Sequence, residues 1–151
     1  MKRTAFPVLA AALLVLSCAE PYPAVGGAWE YSSALTFPSD FDLGSGQPYV
    51  CTYDAALTLS QTSSIFSGAY DSLAIACNSG GSTTAGGGAV IDGALSRSGI
   101  LSFEFDTPSW LSVGTLHGDS MGGTVTDSVN GLSGMEVASG TWSACKGRPC
   151  H

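Results

Sequence analysis

Tyr49-Val50-Cys51-Thr52-Tyr53-Asp54-Ala55-Ala56-Leu57-Thr58-Leu59 decides the fold class. Tyr49, Cys51, Tyr53, Ala55, Leu57 and Leu59 fall on one face, while Thr52, Asp54, Thr58 and Ser60 fall on the other. A period of two is extended chain with one face buried. The pattern recurs on both sides of this stretch. In Gly27–Phe37, Trp29, Tyr31, Leu35 and Phe37 alternate with Ala28, Glu30, Ala34 and Thr36. In Ser64–Cys77, Phe66, Gly68 and Tyr70 share a face, then the phase slips to Leu73, Ile75 and Cys77; a bulge near Asp71-Ser72 accounts for the slip.

Further strands are expected at Ala89–Ser96 (Ala89, Ile91, Gly93 and Leu95 inward), Ile100–Asp106 (Leu101, Phe103 and Phe105 inward) and Trp110–Gly118. Two more follow at Met121–Asp127 (Met121, Gly123 and Val125 inward) and Glu136–Cys145 (Ala138, Gly140, Trp142 and Ala144 inward). Pro38–Pro48 reads as a loop, and the glycine-rich Asn78–Gly88 as a flexible connection. No helix is expected after residue 17. Eight strands joined mostly by short links predict an all-β, antiparallel up-and-down meander, which most simply closes into a barrel and removes both edges. A folded-over sandwich is the alternative. Outward Asp, Glu, Ser and Thr argue against a lipid-facing barrel. Glycine-small-bulky figures recur, among them Gly27-Ala28-Trp29, Gly114-Thr115-Leu116, Gly123-Thr124-Val125 and Gly140-Thr141-Trp142. The matching first and last figures predict that the strands of Trp29 and Trp142 pair, bringing these residues close together and closing the barrel.

The N-terminus has a different character. Lys2 and Arg3 precede an apolar run from Ala5 to Leu16 that is too short to span a bilayer. Val15-Leu16-Ser17-Cys18 resembles the lipobox of bacterial lipoproteins. That resemblance implies a signal peptide over 1–17, lipidation of Cys18, anchoring in the cell envelope and, with Ala19 following, the outer membrane of a diderm cell. Residues 18–26 then form the lipidated cysteine and a flexible tether, 27–145 the barrel domain, and 146–151 a tail. Beyond residue 17 the chain has three basic residues (Arg97, Lys146, Arg148) and all twelve acidic ones, a net charge near −9. A basic nucleic-acid footprint is absent, so no nucleic-acid partner is expected, and membrane attachment rests on the lipid.

Cys18 aside, four cysteines remain in an exported chain, which predicts two disulfides. Of the three pairings, Cys51–Cys77 and Cys145–Cys150 are expected. Cys145, Cys150 and His151 lack metal-ligand spacing, so no metal or cofactor is expected. His117 is a lone strand histidine, and Glu104 and Asp106 read as a solvated face. Nothing orders a nucleophile and a base, and no enzyme is expected.

Gly27-Ala28-Trp29 at the start of the first strand resembles the G-x-W signature of the lipocalins and avidins, the calycin group. Phe66-Ser67-Gly68-Ala69-Tyr70 is similar to an early avidin strand. The resemblance implies a cupped eight-stranded barrel and carries over no ligand. Two functions are thus expected: a structural or surface-interaction role in the envelope, with an envelope protein as partner; or, alternatively, binding of a small apolar ligand in the barrel mouth. The candidate lining residues for the second are Tyr31, Tyr53, Tyr70, Phe103, Phe105 and Trp110.

Overall fold

A computed structural model describes residues 21–38, 49–131 and 134–150, with backbone alone over 129–136. Cys18, the connection over 39–48 and His151 lie outside the described residues. Eight strands follow in order: β1 (Gly27–Phe37), β2 (Tyr49–Thr62), β3 (Ile65–Cys77), β4 (Ser82–Leu95), β5 (Ile100–Asp106), β6 (Ser109–His117), β7 (Ser120–Gly131) and β8 (Gly134–Lys146). Each pairs antiparallel with its sequence neighbour, and β1 pairs with β8, closing the barrel. The meander is therefore a barrel and not a sandwich. Alternation is the reason: on β2 every odd residue from Cys51 to Leu59 is buried and every even one exposed.

The β1–β8 seam pairs the strands of Trp29 and Trp142, but the two indoles are not neighbours. Trp142 stands opposite Ser33, while Trp29 stands opposite Lys146, four residues further along the seam. The ring stacked on Trp142 is Tyr31, with centroids 5.8 Å apart. Trp142 finds room because two glycines cross beneath it. Gly123 is its partner on β7, and Gly114 is the partner of Gly123 on β6. A methyl at Gly114 would lie 2.9 Å from Trp142 Cζ2.

Two slips of phase bend the sheet. Between Asp54/Ala74 and Leu57/Tyr70 the β2–β3 register gains a residue on β3, the expected bulge. A second lies in β4, where Asp92 takes a φ of 52° and the β4–β5 register shifts. It corrects the inward set expected there: Val90 is buried and Ile91 faces out. β4 also begins earlier than expected. Ser82–Gly88 pairs with β3, and only Asn78–Gly81 remains as a turn.

The middle of the barrel is filled. Tyr31, Phe66, Phe103, Phe105 and Trp142 are all at most 3% exposed. Apart from the stacked Tyr31–Trp142 pair, most of their rings meet edge-on, at centroid separations such as 5.1 Å for Tyr31–Phe105 and 5.1 Å for Phe103–Trp142. Burying side chains of this size contributes roughly 1.5–3 kcal/mol each. Within this apolar centre Tyr31 Oη, Ser33 Oγ and Ser112 Oγ are buried neighbours that make no hydrogen bond of normal geometry. Burial pushes the Tyr31 phenol up to about 12, with the two serine hydroxyls opposing the rise.

One end of the barrel is closed. Residues 21–26, expected to be an unpacked spacer, fold across it. Val25 is fully buried, its N–H donates to Gln61 Oε1 (2.7 Å), and its carbonyl accepts from Trp29 Nε1 (2.7 Å). Gln61 Nε2 donates to the Pro23 carbonyl at 2.9 Å. Arg97 lies over the Tyr22 ring (5.3 Å to the centroid) and Lys146 over Trp29 (5.4 Å). Two prolines remove amide donors from the segment, and Gln61 and Trp29 hold the Val25 N–H and the Pro23 and Val25 carbonyls. Cys145–Cys150 ties down the tail at this same end, and Cys51–Cys77 joins β2 to β3 at the other. Both disulfides are those expected.

Candidate functional site

Among the described residues nothing covers the other end. Here β1 runs out at Phe37, β2 starts at Tyr49, β3 ends at Cys77, and the β5–β6 turn passes through Thr107-Pro108. Between them lies a cavity of about 480 Å³. That is within the range of small-molecule sites, roughly 300–1,000 Å³. Trp110 is backed from below by Phe105, with ring centroids 5.6 Å apart. Tyr53 meets Trp110 edge-on at 4.4 Å, and Phe37 and Tyr49 form a tilted pair at 5.6 Å. Ile75, Thr83 and the Cys51–Cys77 disulfide make the opposite wall, and Pro108 and Asp127 complete the rim.

The wall of Ile75 and Thr83 exists because β3 and β4 outrun the rest of the sheet. β4 pairs with β3 from Ser82, whereas its pairing with β5 begins only at Val90. The overhanging hairpin is held to β2 by the Cys51–Cys77 disulfide and by Asn78, whose N–H donates to the Val50 carbonyl (2.9 Å) and whose Oδ1 accepts from Val50 N (3.1 Å). Such cross-ties preorganise a rim that would otherwise fray.

Among the described residues, Asp127 is the one carboxylic acid of the cavity lining. It stands opposite Trp110 in the β6–β7 ladder, and its Oδ2 accepts from Trp110 Nε1 at 3.1 Å. Desolvation by its half-buried setting pushes its pKa up from the usual carboxylate range, and the indole hydrogen bond opposes that rise. The Tyr53 phenol is pushed up to about 12, first by burial and then by Tyr49 and Asp127. Both shifts come first from partial burial, and among the described residues no cation stands beside either group to oppose them. The basic residues Arg97, Lys146 and Arg148 stand at the closed end, in the β4–β5 turn and at the end of β8. His117 is there too, at the β6–β7 turn.

Of the six side chains expected to line a cup, Tyr53 and Trp110 do so. Tyr31, Phe103 and Phe105 belong to the filled middle. Tyr70 is also buried away from the cavity, with its hydroxyl donating to the Thr107 carbonyl and its ring edge-on to Phe105 at 5.2 Å. Phe37, Tyr49, Ile75 and Asp127 are lining residues that were not anticipated. A signal for Asp127 was present: it continues the inward set Met121, Gly123, Val125. Among the described residues no group of three His, Cys, Asp or Glu side chains could hold a metal.

Compared with known proteins, the chain matches no family model, and no curated protein or solved structure is significantly similar to it.

Proposed function

We propose that this chain is an exported, lipid-anchored envelope protein that binds a small, largely apolar ligand in the open mouth of its barrel. The observation that carries the reading is the cavity of about 480 Å³, walled by aromatic rings and set above a filled core. A purely structural barrel has no need of a braced, aromatic-lined opening. With Cys18 as the anchor, only Ala19 and Glu20 stand between the lipid and Pro21 at the barrel floor. The mouth then opens away from the bilayer, towards solutes.

Two measurements test this. Mass spectrometry of the mature protein is expected to find an acylated N-terminal Cys18; a free or absent cysteine removes the anchor. A fluorescent apolar probe such as N-phenyl-1-naphthylamine is expected to bind the wild type and not Thr83→Trp. Thr83 pairs with Ile75 and borders the cavity, so an indole there obstructs part of it. Equal binding by both proteins refutes the mouth as the site.

A second reading keeps the barrel as a scaffold for an envelope protein. It is favoured by an apolar strip on the outer wall, where Ile65, Ile100 and Val113 are 65%, 56% and 40% exposed. Under that reading Ile65→Asp abolishes partner capture in cross-linked envelopes and Thr83→Trp does not.

A further inference from the structure

We infer that the ligand of the mouth is an organic cation: an ammonium head group, protonated or quaternary, carrying apolar substituents. This rests on the mouth being a binding site and specifies what it binds. The supporting geometry is the combination of rings and one carboxylate. Trp110, Tyr53, Tyr49 and Phe37 all border the cavity, and the negative faces of such rings attract cations. Asp127 borders it too, and its only described hydrogen bond is from Trp110 Nε1. That bond fixes the carboxylate beside the indole, which is the pairing an ammonium group needs.

Alternative ligand classes fit less well. The Asp127 carboxylate repels an anion, and among the described residues no Lys, Arg or His borders the cavity to offset it. A metal ion such as calcium takes six to eight oxygen ligands, several of them carboxylates, and the described lining offers one carboxylate beside the neutral hydroxyls of Tyr49, Tyr53, Ser82 and Thr83. A wholly neutral apolar ligand would leave Asp127 desolvated with nothing in return. A cation removes that penalty, because the opposite charge offsets the loss of water around the carboxylate. The overall charge helps as well: beyond residue 17, three basic residues face twelve acidic ones, and such a surface steers cations inward at low salt.

The test compares benzyltrimethylammonium with its neutral carbon isostere neopentylbenzene. Both are titrated into the wild-type protein while the three indole N–H resonances of Trp29, Trp110 and Trp142 are followed by NMR. Trp29 is at the floor and Trp142 in the core, so a ligand in the mouth moves the Trp110 resonance, assigned with Trp110→Phe. The cation is expected to bind at least tenfold more tightly than the isostere. Asp127→Asn, which keeps the side-chain shape and an acceptor for the indole, is expected to weaken the cation about tenfold and leave the isostere unchanged. Equal affinity for the two compounds, or a cation affinity unmoved by Asp127→Asn, overturns the cation inference while leaving a general apolar site. If neither compound moves the Trp110 resonance, the cation inference and the mouth-binding reading fall together.

Discussion

Replacing Gly123 with alanine is expected to destabilise the barrel far more than its single methyl suggests. The added Cβ would overlap the Val113 carbonyl oxygen and lie 2.5 Å from Gly114 Cα and 2.9 Å from the Val113 carbonyl carbon. Each of these atoms is backbone on the paired strand β6, so no side chain can swing aside. Relief requires β6 and β7 to part where the Trp142 indole rests on them. Overpacking costs about 1–3 kcal/mol, and a rigid backbone neighbour puts this case at the upper end. Against it stands the gain of about 0.4–1 kcal/mol from restricting the unfolded chain when alanine replaces glycine. The net loss is about 2 kcal/mol.

Gly86→Ala is the control. A Cβ there meets nothing within 4 Å, so only the unfolded-state gain remains, about 0.5 kcal/mol of stabilisation. The two variants should thus differ by about 2.5 kcal/mol. That corresponds to roughly 10 °C in Tm for a domain of this size. Urea unfolding under oxidising conditions, with unchanged m, measures the gap. Gly123→Ala within 0.5 kcal/mol of Gly86→Ala would refute the glycine ledge beneath Trp142.

Three further outcomes are expected. Cys51→Ser/Cys77→Ser opens a loop of sequence separation 26 and should cost about 3.5 kcal/mol in the chain-entropy model; urea midpoints of the double variant and wild type measure it, and a loss under 1 kcal/mol contradicts the role given to this bridge. Tyr31→Phe removes a buried hydroxyl that meets the Ser33 and Ser112 hydroxyls without a hydrogen bond of normal geometry, so stability should hold or rise by up to about 1 kcal/mol; a loss above 1 kcal/mol would show that the hydroxyl is paired. Asp127 has a folded-state pKa above its unfolded value, so the folded state holds the proton more tightly, and stability falls as pH rises from the ordinary aspartate range through the raised value. Subtracting the Asp127→Asn stability profile from that of wild type isolates this slope, and a difference that rises with pH has the wrong sign.

The sequence was most legible where burial and period agree. Tyr49–Leu59 admits one phase only, and the slip between Tyr70 and Leu73 could be located because large apolar residues flank it on both sides. At Val90-Ile91 two adjacent β-branched residues fit either phase. The choice is made by the left-handed backbone of Asp92, which no local pattern announces. Gly86-Gly87-Gly88 read as a loop by composition. They are strand because β4 there crosses the bulged segment of β3 closely: a Cβ on Gly87 would strike the Tyr70 and Asp71 carbonyl oxygens. The candidate site was half legible for a related reason. Alternation shows which side chains point inward, and it found Tyr53 and Trp110. Height along the barrel is set by register between strands, so Tyr31 and Phe103 could not be told from mouth residues by period alone.

The two ends of the barrel divide the work unequally, and the division constrains how a ligand could arrive. At the floor, Trp29, Val25 and Gln61 spend their polar groups on one another, with Lys146 and Arg97 capping aromatic rings. A ligand entering there would have to break buried hydrogen bonds, each worth about 1 kcal/mol or more when its partner is left unmatched. Between floor and mouth the ring-to-ring contacts of Phe103, Phe105, Tyr31 and Trp142 leave no through-passage, since parting them forfeits apolar burial along the whole barrel. Traffic through the barrel is therefore costly, and exchange at the mouth breaks none of these contacts. A ligand bound there is taken from, and returned to, the solution the mouth faces, and under the proposed anchoring at Cys18 this suits a soluble cation better than a lipid drawn from a bilayer.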